Sequence, residues 1–211
     1  MSLKPIKKLE PPQESPYAPT HLAPATGPTY LTALYSLHPG TNLDAVQILR
    51  VIAVEEMLHM TLSANMLNAV RGKVDLLKDG FVPTFPTCLP DGETDFQVNR
   101  ERFSPSALDT FLQIERPARP AERTGGLVKR AKRPGTLLPT VKSEEDQDLH
   151  FYSIGEFYHA IQVGMEELCR ELGEAKVFSG ERRRQITPEY YYSGGGQVNE
   201  VYNLETAKTA I

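Results

Sequence analysis

The amino-acid sequence predicts an all-α protein organised around one long helix, which runs from Asn42 to Arg71. Apolar residues recur there at intervals of three, four and seven, which is the period of an α-helix. Phe151 to Leu172 has the same period and is predicted to form a second long helix. Start and stop signals predict shorter helices at Thr29 to Leu37, after Ser104, and at Leu204 to Ile211.

Length and composition limit the classes of protein to which this chain can belong. The 211 residues are enough for one sizeable domain with its own core, and the net charge of −4 implies no general affinity for nucleic acid or an anionic membrane. No apolar run is long enough to span a bilayer, and no apolar stretch follows the N-terminal lysines as in a secretory signal. The two distant cysteines, Cys88 and Cys169, are typical of reduced thiols in a cytoplasmic protein, not of a disulfide framework or structural zinc.

Residues 1–20 are rich in proline, lysine and glutamate, so we expect a disordered N-terminal arm ahead of a helical domain at 21–211. Proline is tolerated in the first turn of a helix, so Pro28 is predicted to open the helix Thr29 to Leu37. Thr41 and Asp44 then form a pattern like a capping box at the start of the long helix.

The long helix carries Glu56-Met-Leu-His59, the first of two Glu-x-x-His motifs. Apolar residues surround this helix nearly completely, which predicts a buried central helix with Glu56 and His59 pointing inward. A buried carboxylate is usually neutralised, paired or bound to a metal. Glu-x-x-His is the ligand spacing of di-iron carboxylate bundles, but a hydrogen-bonded core pair has the same spacing. Glu55 points about 100° away and is the poorer ligand.

Residues 73–102 are predicted to form a long irregular loop that packs on the helices. Ser104 is then the expected N-cap of a short helix, with Pro105 in its first turn and Pro117 as its stop signal. Glu115 shares an apolar face of that helix and is a candidate inward carboxylate. A carboxylate at a helix end is more often solvated, so both interpretations stay open.

Residues 116–133 contain seven Lys or Arg and one acid, and an acidic run follows at 144–148. One interpretation is a basic patch for nucleic acid or an anionic ligand. Aromatic residues that would stack on bases are not interleaved, which favours a solvated loop folding onto its acidic neighbour. We therefore expect 118–148 to be a mobile charged loop.

The second long helix contains Glu156-Phe-Tyr-His159, the second Glu-x-x-His motif. Two copies on two strong helices support metal binding better than one copy does. Glu156 has another role available, because Ser153 and Glu156 also form a capping box. The main apolar stripe lies roughly opposite Glu156 and His159, so both are ligands only if this helix is buried on two sides.

Near the C-terminus, the run Gly194-Gly195-Gly196 lacks the Lys-Ser/Thr ending of a phosphate-binding loop. Asn203 is the expected N-cap of an Ala-rich helix from Leu204 to Ile211. A two-turn helix without a C-cap is marginal on its own, so we expect this last helix to be truncated.

Several blocks together resemble a known family, namely PTYLTALYSLHPG, ILRVIAVEEMLHMTLSANMLNAVRG, FPTCLP, HFYSIGEFYHAI and RQITPEYYYSGGG. They are similar to the ferritin-like domain of the iminophenyl-pyruvate dimer synthase family, which is related to the violacein and rebeccamycin pathway proteins. The resemblance spans about Pro28 to Ile211. It implies a ferritin-like four-helix bundle with long irregular loops, a role in secondary metabolism, and a di-iron site in which manganese is an alternative to iron.

By this resemblance Glu56, His59 and Glu156 match candidate di-metal ligands, with His159 beside them. In two places this chain departs from the family pattern and lacks an expected metal ligand. Family members carry a glutamate on the first helix near the position of Ala23, and they continue past Ile211 into a helix with further Glu and His. A di-iron site usually takes about four carboxylates and two histidines from four helices, so this chain supplies part of that set.

Two functions follow from these observations. In the first, an oxidoreductase uses iron at this site to activate oxygen, and it oxidises or couples small aromatic metabolites. In the second, the chain is a metal-free helical scaffold or interaction protein of a biosynthetic assembly, which Ala23 and the truncated last helix favour. The expected partners are a small-molecule substrate or a biosynthetic partner protein, with no nucleic acid and no membrane. A homo-oligomer is compatible with either function.

Overall fold

The computed structural model describes residues 18–89, 96–116, 154–191 and 195–211. Its helices are α1 Ala18–Ser36, α2 Leu43–Ala69, α3 Pro105–Ile114, α4 Ile154–Leu172, the short α5 Glu174–Val177, and α6 Leu204–Ala210. Two 3-10 turns lie at Arg182–Arg184 and Pro188–Tyr190. Within these ranges there is no strand, and one antiparallel bridge joins Thr87 to Val98. The predicted all-α fold is confirmed.

The first helix begins earlier than the sequence indicated. The predicted start at Pro28 is wrong, because α1 begins at Ala18 and continues through Pro24 and Pro28. A proline inside a helix removes a backbone hydrogen bond and costs about 3 kcal/mol. Burial offsets this cost, since the inner face of α1 contributes five residues to the core: Leu22, Ala23, Ala25, Tyr30 and Ala33. Residues 18–20 of the predicted arm therefore belong to α1, and 1–17 lie outside the described residues.

The long helix α2 is confirmed, but its surroundings differ from the prediction. Residues 63–69 are buried all round, whereas the N-terminal half exposes Leu43, Ile48 and Val51. The prediction that this helix is buried along its whole length is therefore wrong. The capping box was wrong too, because the N-cap Asn42 makes no side-chain cap hydrogen bond. The Thr41 hydroxyl donates instead to the carbonyl oxygen of His38, at 2.8 Å.

Within the described ranges, two apolar clusters hold the helices together. The first joins α1, the N-terminal half of α2, α3 and the bridged loop through Leu22, Ala25, Tyr30, Ala33, Leu49, Leu89, Val98, Ala107, Phe111 and Ile114. The second is built on Met66, Ala69, Val201 and Ala207, with Ile161 and Met165 of α4 packed against it. The C-terminal half of α2 therefore packs against α4 and α6.

Buried side-chain amides anchor the connection between α5 and α6 on α2. Asn65 donates to the carbonyl oxygens of Ile186 at 2.8 Å and Asn199 at 2.9 Å, and its own amide oxygen accepts from the Ile186 N–H at 2.7 Å. Gln185 donates to the carbonyl oxygen of Asn65 at 2.9 Å and accepts from the Val201 N–H at 2.8 Å. This network satisfies loop backbone groups that would otherwise be buried without partners.

Glycines allow the same connection to approach α2 closely. Gly180 donates its N–H to the carbonyl oxygen of Ala69 at 2.8 Å, and a Cβ at Gly180 would lie 1.8 Å from the Asn68 carbonyl oxygen. A Cβ at Gly195 would lie 2.4 Å from a Glu55 carboxylate oxygen. That oxygen ends a flexible side chain and can shift, whereas Gly196 in the same run has a φ of +74°, a left-handed conformation that favours glycine.

The predicted start signals of α3 and α6 are confirmed. Ser104 accepts a hydrogen bond from the Ala107 N–H at 3.1 Å, with Pro105 in the first turn of α3. Asn203 forms a capping box with Thr206 at the start of α6. The expected capping role of Ser153 and the mobile loop at 118–148 lie outside the described residues. No helix in the described ranges is long and apolar enough to cross a bilayer.

Candidate functional site

A cleft of about 630 Å³ lies where α1, α2, α4, α6 and the end of α3 meet. Its apolar walls include Leu22, Ile114, Ile154 and Tyr158 of the first cluster, Met66 of the second, and Leu62. Its acidic, basic and imidazole side chains are Glu56, His59, Glu115, Arg116, His159 and Lys208. Four of the five predicted metal ligands therefore line one cleft. Small-molecule sites in proteins have volumes of this order.

Glu56 is the buried acid of the cleft, with 6% of its surface exposed. Its Oε2 accepts a hydrogen bond from the Thr26 hydroxyl of α1. Because Thr26 is 1% exposed, Oε2 lies in the interface between α1 and α2. Oε1 lies 3.7 Å from Nδ1 of His59, which is too long for a hydrogen bond. One carboxylate oxygen is therefore held by α1, and the other is available to a ligand in the cleft.

His59 stands at the mouth of the cleft, not in the core. Its side chain is 53% exposed, so the prediction that it points into a buried interior is wrong. The physical reason is that α2 is covered on one side only at this level, as the exposure of Met57 also shows. The interaction with the Glu56 carboxylate raises the pKa of His59 above 6.5, and Glu115 and Glu55 act in the same direction.

We expect an NMR titration of the His59 imidazole to give a pKa above 6.5, and Glu56→Gln to move it down toward that value. A pKa raised by folding means that protonated His59 stabilises the fold. That contribution is fully present below about pH 6.5 and is lost as the pH rises through the folded-state pKa. Glu55→Gln is the matched control and should lower the pKa less, since Glu55 makes the smallest contribution. A wild-type pKa at or below 6.5 would contradict this geometry.

Glu115 is the C-cap residue of α3, and its carboxylate accepts a hydrogen bond from a core residue. Its Oε1 accepts a hydrogen bond from the Tyr30 hydroxyl at 2.8 Å. Tyr30 is fully buried on α1, and its ring packs against Phe111 at 4.8 Å between centroids. Burial, and then the charge of Glu115, raise the pKa of Tyr30 above its usual range. Glu115 is thus solvent-exposed, as expected for a helix end, and also tied to the core.

The second Glu-x-x-His motif reaches the cleft in part. His159 lines the cleft and is exposed, whereas Glu156 is half-buried and is not one of the lining residues. Tyr158 from the same turn of α4 also lines the cleft. Burial raises its pKa, and the charge of Glu56 adds to the increase. The ionisable α4 groups that line the cleft are therefore the Tyr158 phenol and the His159 imidazole, and the expected Glu156 carboxylate is not among them.

A di-metal centre does not fit the residues that the structure describes. Among them, no three His, Cys, Asp or Glu side chains are grouped closely enough to hold a metal ion. The helix α1 contains no acidic residue, and Ala23 is buried in the core. The described carboxylates of the cleft are Glu56 and Glu115, whereas a di-iron site takes about four. What remains is a smaller donor set centred on Glu56 and His59.

Sequence reasoning missed four residues of the cleft and its supports, namely Thr26, Tyr30, Arg116 and Lys208. Leu22, Thr26 and Tyr30 recur at intervals of four, which was the available helical signal, but Pro24 and Pro28 obscured it. Arg116 and Lys208 had no local signal, because tertiary packing alone brings the ends of α3 and α6 to the cleft.

Comparison with known proteins agrees with this architecture. A family model described as Ferritin-like matches residues 20–211. A crystal structure described as a ferritin-like protein from Caulobacter vibrioides has a TM-score of 0.58 and 24% identity, a likeness that shows the fold alone. The match covers 92% of this chain and 62% of that one, so this chain spans less than two thirds of that protein. No curated protein matches the sequence. The ferritin-like fold is confirmed, and the narrower likeness to iminophenyl-pyruvate dimer synthases stays a prediction.

Proposed function

We propose, since this chain belongs to the Ferritin-like family, that it is a metal-binding protein whose cleft takes iron or manganese at Glu56 and His59. The observation that carries the proposal is the buried Glu56 carboxylate with one oxygen 3.7 Å from an imidazole nitrogen. Two atoms bound to one first-row ion at about 2.1 Å lie roughly 3.0 to 3.6 Å apart. A shift of a few tenths of an ångström would therefore seat both ligands.

Each residue of the cleft has a distinct part in this proposal. Glu56 supplies an anionic oxygen whose carboxylate is oriented by Thr26. His59 supplies a neutral nitrogen, so protons compete with the metal and binding weakens as the pH falls. Glu115 lines the same cleft, but Tyr30 holds its carboxylate, and among the described residues it is not grouped closely enough with Glu56 and His59 to be a third ligand. Bound iron would supply oxygen activation and one-electron chemistry.

The finer proposal is that the substrate is a small aromatic metabolite that is oxidised or coupled. The sequence resemblance suggests this class of substrate, and two properties of the cleft support it. Its volume of about 630 Å³ accommodates a small molecule, and its walls include Tyr158 beside aliphatic side chains. The ionisable groups at the base and rim would orient a polar end of such a molecule.

The second candidate function is a metal-free helical scaffold in a biosynthetic assembly. One observation favours it: α1 meets Glu56 with the hydroxyl of Thr26 and contributes no carboxylate. A hydrogen-bonded carboxylate can be a structural feature of a core, and then no ligand needs to bind it.

Metal analysis distinguishes the two functions. Protein prepared without chelator is titrated with Mn(II), and with Fe(II) in the absence of oxygen, and bound metal is measured. We expect the wild type to bind, and Glu56→Ala and His59→Ala to bind at least about tenfold more weakly, since each removes a ligand. Glu55→Gln, a neighbouring carboxylate outside the cleft, is the control and should bind like the wild type. Circular dichroism checks that each variant is folded. Equal, near-zero bound metal in all the folded proteins would contradict the metal-binding function and favour the scaffold function.

A further inference from the structure

We infer that the end of the molecule where α2 finishes is a face that contacts anionic membrane surfaces. This basic face consists of two largely exposed segments, 71–82 and 174–184. It is independent of the cleft and of the proposed metal-binding function. The prediction of no membrane partner rested on the net charge of the whole chain, which does not describe how the charge is distributed.

Hydrogen bonds at the end of α2 join the two segments of the basic face. Nε of Arg71, just beyond α2, donates to the carbonyl oxygen of Ser179 at 3.0 Å. The side-chain amide of Asn68, in the last turn of α2, donates to the carbonyl oxygen of Arg184 at 2.9 Å. Both segments are therefore fixed at the same end of the molecule.

The basic face is locally cationic, although the whole chain has a net charge of −4. Its two segments contain seven Lys or Arg and four Asp or Glu, and all seven basic residues are exposed. Three of them are consecutive in the 3-10 turn Arg182–Arg184. Anionic lipid headgroups attract such clusters of Lys and Arg within about a Debye length of the surface.

An exposed pair of leucines lies in the first segment of the basic face. Leu76 and Leu77 are the central residues of the tight turn 75–78, and they are 56% and 93% exposed. The Asp75 carboxylate accepts the Leu77 N–H at 3.1 Å, and the Asp75 carbonyl oxygen accepts the Lys78 N–H at 3.4 Å. These bonds hold the turn without burying either leucine. Exposed apolar side chains that are grouped, and not scattered singly, mark contacts with a protein or a membrane.

A membrane surface fits this combination better than a protein pocket does. The leucines lie at the tip of a turn, and an apolar tip can enter the boundary between headgroups and acyl chains without a partner of complementary shape. Lys and Arg have long apolar stems that keep their charges at the level of the headgroups. Because few apolar side chains are available, we expect weak, reversible binding that requires anionic lipid.

Co-sedimentation with vesicles tests this inference on chelator-treated wild type. Vesicles of phosphatidylcholine with about one third phosphatidylglycerol are compared with vesicles of phosphatidylcholine alone, at about 0.1 M and about 1 M salt. We expect binding to the anionic vesicles at the lower salt, and binding at least about tenfold weaker without anionic lipid or at the higher salt. No binding by the folded protein, or equal binding to both vesicles, would overturn the inference. Binding to poly-L-glutamate but not to anionic vesicles would overturn it in favour of an acidic polypeptide.

Matched variants test whether the basic face makes the contact. Leu77→Ser and Arg184→Gln should each weaken binding to anionic vesicles by about fivefold, since each removes one contribution from this face. The controls are Leu112→Ser on α3 and Arg50→Gln in the N-terminal half of α2, which change exposed residues elsewhere and should bind like the wild type. Equal losses in the variants and their controls would overturn the assignment to this face.

A tryptophan at the tip of the turn reports its insertion, because the chain has no tryptophan of its own. On anionic vesicles the emission of Leu77→Trp should shift to shorter wavelength, since the indole ring enters a less polar medium. Leu112→Trp is the control and should show no shift. The absence of a shift in Leu77→Trp, or the same shift in both variants, would overturn insertion of the leucine pair.

Discussion

Replacing Asn65 by alanine is expected to lower the free energy of unfolding by about 3 to 5 kcal/mol, the range for breaking a buried hydrogen-bond network. Asn65 is completely buried and makes three side-chain hydrogen bonds to the backbone of Ile186 and Asn199. Alanine removes all three and leaves two carbonyl oxygens and one N–H without partners in the interior. The connection to α6 would then lose its anchor on α2.

Equilibrium unfolding in urea, followed by circular dichroism, measures the effect of Asn65→Ala. The matched control is Asn68→Ala, three residues further along α2. Asn68 makes one side-chain hydrogen bond, to the carbonyl oxygen of Arg184 at 2.9 Å, and its amide oxygen is buried without a partner. We expect a loss of about 1 to 2 kcal/mol there. Equal losses in the two variants would show that the Asn65 network is not the main anchor.

Replacing Glu56 by leucine is expected to stabilise the metal-free protein by about 1 to 3 kcal/mol while abolishing metal binding. A buried carboxylate loses its hydration on folding, and leucine of similar volume does not carry that penalty. The Thr26 hydroxyl keeps an acceptor in the variant, because the carbonyl oxygen of Leu22 lies 3.1 Å away. His59 is half-exposed and can be solvated without its anionic neighbour.

Thermal and urea unfolding of chelator-treated Glu56→Leu and wild type test this expectation, with Glu56→Gln as the reference that keeps an acceptor for Thr26. Higher stability together with lost metal binding would mark Glu56 as a residue kept for ligand binding at the expense of stability. A loss of more than about 1 kcal/mol in Glu56→Leu would instead indicate a structural hydrogen-bonding role. That result would favour the scaffold function.

The helical class and most helix boundaries could be predicted from local signals. The course of α2 follows from apolar periodicity, and the starts of α3 and α6 follow from Ser104 and Asn203, whose side chains bond to the N–H groups of their own first turns. The identity of Glu56 and His59 as the central pair also came from spacing on one helix. These features depend on residues within about one or two turns, so the sequence alone determined them.

Tertiary structure decided what depends on distant contacts. The start of α1 was not predictable, because local chemistry disfavours Pro24 and Pro28 inside a helix and only burial against α2 and α3 offsets that cost. The two Glu-x-x-His motifs likewise did not determine how many ligands meet in the cleft. That number depends on the orientation of α4, which brings His159 to the cleft and leaves Glu156 outside it. The sequence by itself determined a helical bundle with a Glu56–His59 pair. The packing of α1, α3 and α4 decided how much of a metal site surrounds that pair, because the remaining donors belong to separate helices.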